Sequence, residues 1–263
     1  MYFGMTNSPA TFQALMNAIF TDLIAQGDVV VYMDDILIYS KDLKHHCKIV
    51  RIVLQRLQDY DLYLKPEKCE FKRDEMEYLG MIISPGEVKM DPGKAAAVRD
   101  WPTPTMLREV RAFIGFTNFY RRFIPDFSTK AHLLHDLTKK DVPFEWKQEQ
   151  QQAFDHLKVA FCITPILKIY DPMLPTRVKV DASGFATGGI LSQKHADGYW
   201  HPVAYQSESI SKEERNYEIY DHEMLRAIRA LEDWRHFLEG IPFKIVTDHK
   251  NIEWWTTARD LNR

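Results

Sequence analysis

The stretch VVVYMDDILIY at residues 29–39 decides the fold of the amino-terminal part of the chain. Its two apolar runs flank a short acidic segment, a pattern typical of two β-strands joined by a tight turn. Asp34 and Asp35 occupy that turn. Carboxylates beside a core are costly unless they are paired or bind a cation. Because aspartate is also common in hairpin turns, the stretch alone leaves a metal site and a plain turn as open alternatives.

Helices are predicted on both sides of this hairpin. Apolar residues recur at three- and four-residue spacing over residues 8–25, and Gly27 is expected to end that helix. The same spacing over residues 43–60 predicts a second helix, with Asp42 as its amino-terminal cap. Short strands are predicted at residues 62–64, 69–71 and 78–83.

Proline and glycine residues indicate two boundaries farther along the chain. The segment PGEVKMDPGK at residues 85–94 places the first near Asp91, and residues 163–176, with three prolines, are predicted to be a tether. Mostly helical sequence lies between them. The tether is followed by predicted strands at 177–182, 187–193 and 199–206, a helix at 214–238 and a strand at 243–248. The expected fold class is α/β, with an α+β region first, a helical region next and a mixed-sheet domain last.

Composition limits the classes of function. Hydrophobic residues make up 45% of the 263 residues and charged residues 27%, which is typical of a folded protein. A net charge of −3 argues against a nucleic-acid clamp that relies on global positive charge. We find no apolar run long enough for a membrane span and no secretion signal, so we expect an intracellular protein with no membrane partner. The three cysteines and His45 and His46 lack zinc-site spacing, which favours free thiols and surface histidines.

A basic and aromatic segment lies at residues 107–127, LREVRAFIGFTNFYRRFIPDF. Arginines interleaved with aromatic residues can follow a nucleic-acid backbone, which makes Arg121 and Arg122 candidate phosphate contacts. The alternative is a helical bundle in which the aromatic residues form the core and the arginines face solvent.

A second acidic group is spread over the last part of the chain. Asp181 and Asp248 each end a predicted strand, and Glu223 lies within the apolar stripe of a predicted helix. Clustered carboxylates repel one another, whereas divalent cations bound between them keep them ionised. Mg²⁺ suits such hard oxygen ligands. The alternative is that these acids are caps and turn residues that never meet, and Glu223 fits that alternative worst.

The first acidic turn belongs to a series of motifs that resembles gypsy-type LTR-retrotransposon reverse transcriptase. Tyr32-Met33-Asp34-Asp35 resembles the family's YxDD box, and residues 3–13, FGMTNSPATFQ, resemble its nucleotide-pocket motif. Residues 64–71, LKPEKCEF, and 78–80, YLG, resemble the next palm motif and the primer grip, and residues 107–127 resemble the thumb. The resemblance implies that Asp34 and Asp35 bind Mg²⁺. It also implies contacts to nucleotide or nucleic acid from a set of side chains and backbone groups: Phe3, Gly4, Gln13, Tyr32, Met33, Lys65, Lys68, Arg121 and Arg122.

The second acidic group resembles gypsy ribonuclease H. That family's motifs resemble Asp181-Ala182-Ser183, the segment from Tyr217-Glu218 through Leu225, WRHFLEG at residues 234–240, and Thr247-Asp248-His249-Lys250. The resemblance implies that Asp181, Glu223 and Asp248 bind two Mg²⁺ ions that activate water against an RNA phosphodiester. The implied substrate is the RNA strand of an RNA–DNA hybrid.

The resemblance covers residues 1–263 and implies the domains: the carboxyl-terminal part of a palm (1–91), thumb and connection helices (92–162), a tether (163–176) and a ribonuclease H-like domain (177–263). The family has a further polymerase aspartate and a fingers subdomain before this region, and a fourth nuclease acid after it. We therefore expect no polymerase activity from this chain alone, and detectable primer extension would contradict that expectation.

Two hypotheses about function follow from the resemblance. In one, the chain works as an enzyme piece within a Pol polyprotein, on primer–template and RNA–DNA hybrid, in a cytoplasmic retroelement particle and in the nucleus. In the other, it is an inactive remnant or a domesticated module that binds nucleic acid or protein. Hybrid binding without turnover would favour the second hypothesis.

Overall fold

The computed structural model describes residues 6–163, 165–182, 186–211, 214, 217 and 219–247, with the backbone alone at 181, 182, 219 and 220. The chain divides into two compact units, residues 1–74 and residues 75–263. Both units combine helices with sheets, which confirms the predicted α/β fold class.

The first unit packs helices against a two-stranded sheet. Its elements are α1 (Ser8–Ile19), α2 (Thr21–Gln26), β1 (Val29–Tyr32), β2 (Asp35–Ile38) and α3 (Leu43–Asp59). Its core consists of apolar side chains from α1, α2, α3, the residue between α1 and α2, and β1: Met16, Ile19, Phe20, Leu23, Val29, Ile49, Val53 and Leu57. The burial of this stripe explains why the helical spacing of the sequence is a reliable signal here.

Helix ends in the first unit follow the predicted capping residues, with one break. Gly27 ends α2 in the left-handed conformation, at φ 76°. The Asp42 carboxylate accepts a hydrogen bond of 2.8 Å from the backbone N–H of His45 and caps α3. The helix predicted over residues 8–25 is divided into α1 and α2 at Phe20, which is completely buried.

Two of the predicted strands in the first unit are wrong. Residues 62–64 and 69–71 are irregular, and only a 3-10 turn at Pro66–Lys68 interrupts the described stretch between them. Tyr63 is 93% exposed and Phe71 is also exposed, so this segment lacks the buried face that a strand of alternating residues needs. Apolar residues without a partner strand do not form a sheet.

The second unit begins with a small antiparallel sheet beside a helical bundle. The sheet contains β3 (Met76–Tyr78), β4 (Met81–Ser84), β5 (Glu87–Met90) and the short β6 (Leu167–Lys168), in that order. The helices are α4 (Pro92–Arg99), α5 (Leu107–Phe119), α6 (Phe127–Leu137) and α7 (Gln148–Cys162).

Aromatic side chains form the core of this bundle. The rings of Phe113 and Phe154 lie 4.5 Å apart between centroids, and Trp101 packs edge-on to Phe113 at 5.6 Å. Phe123, Phe127 and the two phenylalanines just named are at most 1% exposed. The aromatic residues of segment 107–127 therefore serve mainly as core, as the second of the two readings predicts, although Phe119 is exposed.

The compact units divide the chain at another place than the predicted functional boundaries at Asp91 and around the tether, which stay predictions. Strands β3 to β5 belong to the second unit, where Met90 joins the bundle core and β5 pairs with β6. The predicted tether, residues 163–176, contains β6 and the completely buried Leu167. Proline-rich sequence breaks helices but does not prevent burial of the residues between the prolines.

A mixed sheet covered by a helix completes the second unit. Strands β7 (Thr176–Ala182), β8 (Ala186–Lys194), β9 (Trp200–Ser209) and β10 (Phe243–Val246) are ordered β10-β7-β8-β9. The pairs β7–β8 and β8–β9 are antiparallel, whereas β10 runs parallel to β7. Helices α8 (Ile219–Asp233) and α9 (Arg235–Leu238) follow β9, and α8 packs against β7 and β8.

Glycine in the middle of β8 allows α8 to approach the sheet closely. A Cβ atom at Gly189 would lie 3.1 Å from Cη2 and 3.3 Å from Cζ3 of Trp234, and 3.5 Å from Cβ of Ala230. Trp234 and Ala230 are both buried. The absence of a side chain at Gly189 therefore fixes how near the helix carrying Glu223 lies to β8.

Candidate active sites

The acidic turn of the first unit joins β1 to β2 as predicted. The strands are antiparallel with Tyr32 opposite Asp35, so Met33 and Asp34 form a two-residue turn. Asp34 and Asp35 are both exposed, in a position where a polymer or a cation in solvent can reach them. Met33 has a φ of 54°, in the left-handed region that the first residue of such a turn often adopts and that is unusual for a side chain like methionine.

Gln13 holds this turn from α1. Its Oε1 accepts a 2.6 Å hydrogen bond from the backbone N–H of Met33, and its Nε2 donates to the carbonyl oxygen of Val31 at 3.1 Å. The same Nε2 also donates to Oδ1 of Asn17 at 2.8 Å. Both ends of the amide are thus engaged within the first unit. The contact of Gln13 with the hairpin was not apparent from the sequence, because the two partners are about twenty residues away along the chain.

The other predicted nucleotide and nucleic-acid contacts of the first unit differ in exposure, and two of them are not described. Tyr32, Lys65 and Lys68 are exposed, and Met33 is half-buried. Phe3 and Gly4 lie outside the described residues. The structure therefore leaves the lysines and Tyr32 accessible to a ligand and provides no test of the Phe3-Gly4 motif.

Of the two histidines next to Cys47, His45 contacts an aspartate. His45 Nε2 lies 2.8 Å from Oδ1 of Asp28, which is a contact between α3 and the residue before β1. His46 lies on the same helix. Cys47, Cys69 and Cys162 are free thiols, as predicted.

Arg121, a predicted phosphate contact, also makes a contact inside the second unit. Its Nη2 donates to the carbonyl oxygen of Ser207 on β9, and its guanidinium lies 5.8 Å from the ring centroid of Phe127. Burial and the guanidinium of Arg121 lower the pKa of His135, in that order of size. Arg122 is exposed as a whole residue, but its guanidinium lies 5.9 Å from the ring of Phe123, and burial of this group lowers the pKa of Arg122.

Glu223 is the buried acid of the second site. It lies on α8 with 1% of its surface exposed, and its Oε2 is 3.5 Å from Oγ1 of Thr247. Its Oε1 accepts a hydrogen bond from Nη1 of Arg226, one helical turn later. A carboxylate in this position is expected to have cationic or hydrogen-bonding partners, and the structure supplies both.

The strand ends beside Glu223 carry the other two predicted acids. Asp181 lies near the carboxyl end of β7, where it is paired with Gly188 of β8. The parallel register of β10 with β7 places Val246 opposite Lys179, so the carboxyl ends of the two strands lie side by side. Thr247, which contacts Glu223, directly follows β10. The side chain of Asp181 and all of Asp248 lie outside what the structure describes.

The ligand chemistry at these strand ends fits a hard divalent cation. A carboxylate from α8 and a hydroxyl from the end of β10 converge there, beside the strand that carries Asp181. Oxygen donors of this kind suit Mg²⁺. Among residues whose side chains are described, no group of three or more His, Cys, Asp or Glu residues has the geometry of a metal site. The described helices also include none long and apolar enough to span a membrane.

Comparison with known proteins assigns both ends of the chain. Residues 1–83 match the reverse transcriptase (RNA-dependent DNA polymerase) family, and residues 146–245 match the RNase H-like domain found in reverse transcriptase. The Tf2-3 and Tf2-7 transposon polyproteins of Schizosaccharomyces pombe are each 39% identical over 254 residues, or 96% of this chain. The chain spans 19% of the length of these relatives.

Solved structures show the same fold. A foamy viral protease-reverse transcriptase, dRH, in complex with ds DNA superposes with a TM-score of 0.83 at 22% identity, over 97% of this chain and 44% of that one. The foamy viral protease-reverse transcriptase in complex with RNA/DNA hybrid gives 0.81 at 22% identity, over 97% and 34%. The chain therefore belongs to the reverse transcriptase family, with a reverse transcriptase segment followed by the RNase H-like domain found in reverse transcriptase.

Proposed function

We propose that this chain acts within a retrotransposon Pol polyprotein of the gypsy type and that its carboxyl-terminal domain cleaves the RNA strand of RNA–DNA hybrids. The observation that carries the proposal is the buried carboxylate of Glu223 beside the ends of two parallel strands. Buried ionisable groups cluster at functional sites, and a nuclease that uses divalent metal requires such an acid.

The residues that would hold Mg²⁺ in the nuclease site are Asp181, Glu223 and Asp248. When bound, two such ions stabilise the charge that develops on the phosphodiester and lower the pKa of the attacking water. Glu223 contributes a preorganised oxygen, because its side chain is enclosed by the sheet and held by its neighbours. Thr247 orients the oxygen of Glu223 that does not face Arg226.

The first unit contributes to polymerase chemistry in the same polyprotein. Asp34 and Asp35 are proposed Mg²⁺ ligands at the primer end, with a second pair of ions serving that site. Gln13 fixes the backbone of the turn that carries Asp34. Exposed Tyr32, Lys65 and Lys68, together with Met33, Arg122 and the Phe3-Gly4 segment, are proposed contacts to nucleotide or nucleic acid. Arg121 is a further proposed contact to nucleic acid, and its Nη2 also donates to the carbonyl oxygen of Ser207.

Nucleic acid is the proposed partner. Solved relatives of the same fold were captured with ds DNA and with RNA/DNA hybrid, which supports primer–template and hybrid as ligands here. Other segments of the polyprotein are proposed to complete the polymerase site. The proposed location is a cytoplasmic retroelement particle, with entry into the nucleus. The palm, thumb, tether and nuclease limits given above stay predictions about the functional division of the chain.

One observation favours the alternative of a non-catalytic binding module. Glu223 already has a cationic partner in Arg226, so the fold satisfies this acid without metal. An inactive remnant that only binds hybrid could keep the Glu223–Arg226 pair without ever binding metal.

Cleavage of a labelled RNA–DNA hybrid in Mg²⁺ tests the proposal. We expect wild type to cleave and Asp181→Asn and Glu223→Gln to lose most activity. Glu232→Gln is the matched control, since Glu232 is exposed on the same helix, and should cleave like wild type. Equal cleavage by wild type and both active-site variants would reject these residues, and hybrid binding without cleavage by any protein would favour the binding module.

A further inference from the structure

Arg226 is bound to the acid that the nuclease site depends on. Its Nη1 donates to Oε1 of Glu223 across one turn of α8, and the two side chains are only 13% and 2% exposed. The pair is thus nearly removed from water. Removing one member of such a buried ion pair destabilises the fold, because the other member is left as an uncompensated buried charge.

The guanidinium of Arg226 is incompletely satisfied where it lies. Its Nε is buried and has no hydrogen-bond partner among the described residues. The one ion pair that the described part of the chain provides for it is the one with Glu223. Arg226 is therefore held at this position by the charge of Glu223 more than by a network of its own.

The neighbouring arginine on α8 has different partners. Arg229 lies 2.8 Å from Oε1 of Glu214 and 3.4 Å from Oε2 of Glu208. These two acids lie between Asp181 and Glu223 in the sequence and are not among the predicted metal ligands. Among the described side chains, the predicted metal ligand Glu223 pairs with Arg226, whereas Arg229 pairs with Glu208 and Glu214.

We propose that Arg226 is an internal counter-cation for Glu223, which a divalent ion must displace from Oε1 in order to bind there. The proposal rests on the nuclease function proposed above. A guanidinium and a divalent ion cannot both bind the same buried oxygen without strong repulsion between them. Arg226 therefore stabilises the metal-free fold and weakens metal binding, so that it sets the metal concentration at which the site fills.

Metal affinity measured directly tests this role without relying on catalysis. Mn²⁺ binding, followed by electron paramagnetic resonance of free Mn²⁺, is compared in wild type, Arg226→Gln and Glu223→Gln. We expect R226Q to bind the ion tighter by on the order of tenfold and E223Q to bind it more weakly. Arg235→Gln is the matched control, because Arg235 forms an exposed pair with Glu239, and its affinity should equal that of wild type.

The double variant identifies Glu223 as the site of the competition. In the E223Q background, R226Q should no longer tighten Mn²⁺ binding, because the shared oxygen has lost its charge. Arg226→Lys keeps a positive charge on a side chain with fewer donors, and its affinity should lie between those of wild type and R226Q. If R226Q is unfolded without metal, its folding on addition of Mn²⁺ supports the proposal. If R226Q does not fold under either condition, the Mn²⁺ affinity of R226K is the test: an affinity higher than that of wild type supports the proposal, and an equal affinity overturns it.

Thermal unfolding with and without Mg²⁺ provides a second readout. A ligand that binds only the folded state raises its stability more when its affinity is higher, so Mg²⁺ should raise the Tm of R226Q more than that of wild type. Equal affinities and equal Tm increases in wild type, R226Q and R226K would overturn the counter-cation role while leaving the nuclease proposal intact. Metal binding that is absent, or that E223Q leaves unchanged, would instead overturn the metal site of the nuclease proposal itself.

Discussion

Replacement of Gln13 by leucine is expected to release the acidic turn of the first unit. Leucine preserves most of the volume of glutamine but removes both polar atoms of the amide. The backbone N–H of Met33 and the carbonyl of Val31 then lose bonds of 2.6 and 3.1 Å. Because Met33 has a left-handed φ of 54°, the turn depends on outside contacts to keep a conformation that methionine seldom adopts.

The cost can be worked out from these two bonds. Each buried or half-buried hydrogen bond contributes about 0.5–1.5 kcal/mol net, so Gln13→Leu should lower the free energy of opening the turn by about 1–3 kcal/mol. Amide hydrogen exchange at Met33 measures that opening. Its protection factor should fall by about fivefold to on the order of a hundredfold, with a smaller fall at amides in α3.

A matched glutamine separates this effect from loss of any amide side chain. Gln55 is exposed on α3, where its Nε2 donates to Oδ1 of Asp59 at 2.9 Å, and Gln55→Leu should leave exchange at Met33 unchanged. Gln13→Glu retains the acceptor for Met33 but loses the donor to Val31, so an intermediate effect is expected. Wild-type protection of Met33 in Gln13→Leu would refute the view that this side chain holds the turn.

Two further predictions concern packing and pH. Gly189→Ala should destabilise the second unit by about 1–3 kcal/mol, because the added Cβ would press on Trp234. Gly115→Ala on α5 should stabilise the unit by about 0.5–1 kcal/mol, because the added Cβ meets nothing within 4 Å. Urea unfolding of the two variants should therefore show changes in the free energy of unfolding of opposite sign. Asp22 is paired with Arg56 at 2.5 and 2.7 Å, which holds the pKa of Asp22 at about 2. Because the pKa of Asp22 is lower in the folded state than in the unfolded state, the pair stabilises the fold fully above about pH 4 and less as the pH falls toward 2. The difference in the free energy of unfolding between wild type and Asp22→Asn should therefore shrink over that window. A constant difference would contradict this prediction.

Local sequence signals predicted much of the fold correctly. The β1–β2 hairpin and the Asp42 cap of α3 each depend on residues close in the chain. Spacing of apolar residues reports which face of an element is buried, and that face was buried in each case. The strands of the mixed sheet were predicted for the same reason, to within a few residues at their ends.

The features that sequence reasoning missed depend on contacts between distant residues. The strand predicted at 69–71 has apolar residues but no partner strand among the described residues, and the pairing of β5 with β6, about eighty residues later, was not apparent from the sequence. The hydrogen bond from Arg121 to Ser207 was not apparent either, because Ser207 lies on a strand far along the chain. Glu223 was identified by its place in an apolar stripe, whereas Arg226, in the same helix, carried no signal of its own.

The charges of the two acidic sites are stabilised in different ways, because the carboxylates of one site are exposed and Glu223 of the other is buried. Asp34 and Asp35 are exposed, so water and salt screen their charges and no counter-ion within the protein is required. What such a site lacks is rigidity, because an exposed two-residue turn is free to move, and Gln13 supplies it through the backbone. Glu223 is already rigid because it is enclosed, but its charge has no solvent to screen it. When no metal is bound, a cation of the protein offsets that charge, and among the described residues the cation paired with Glu223 is Arg226.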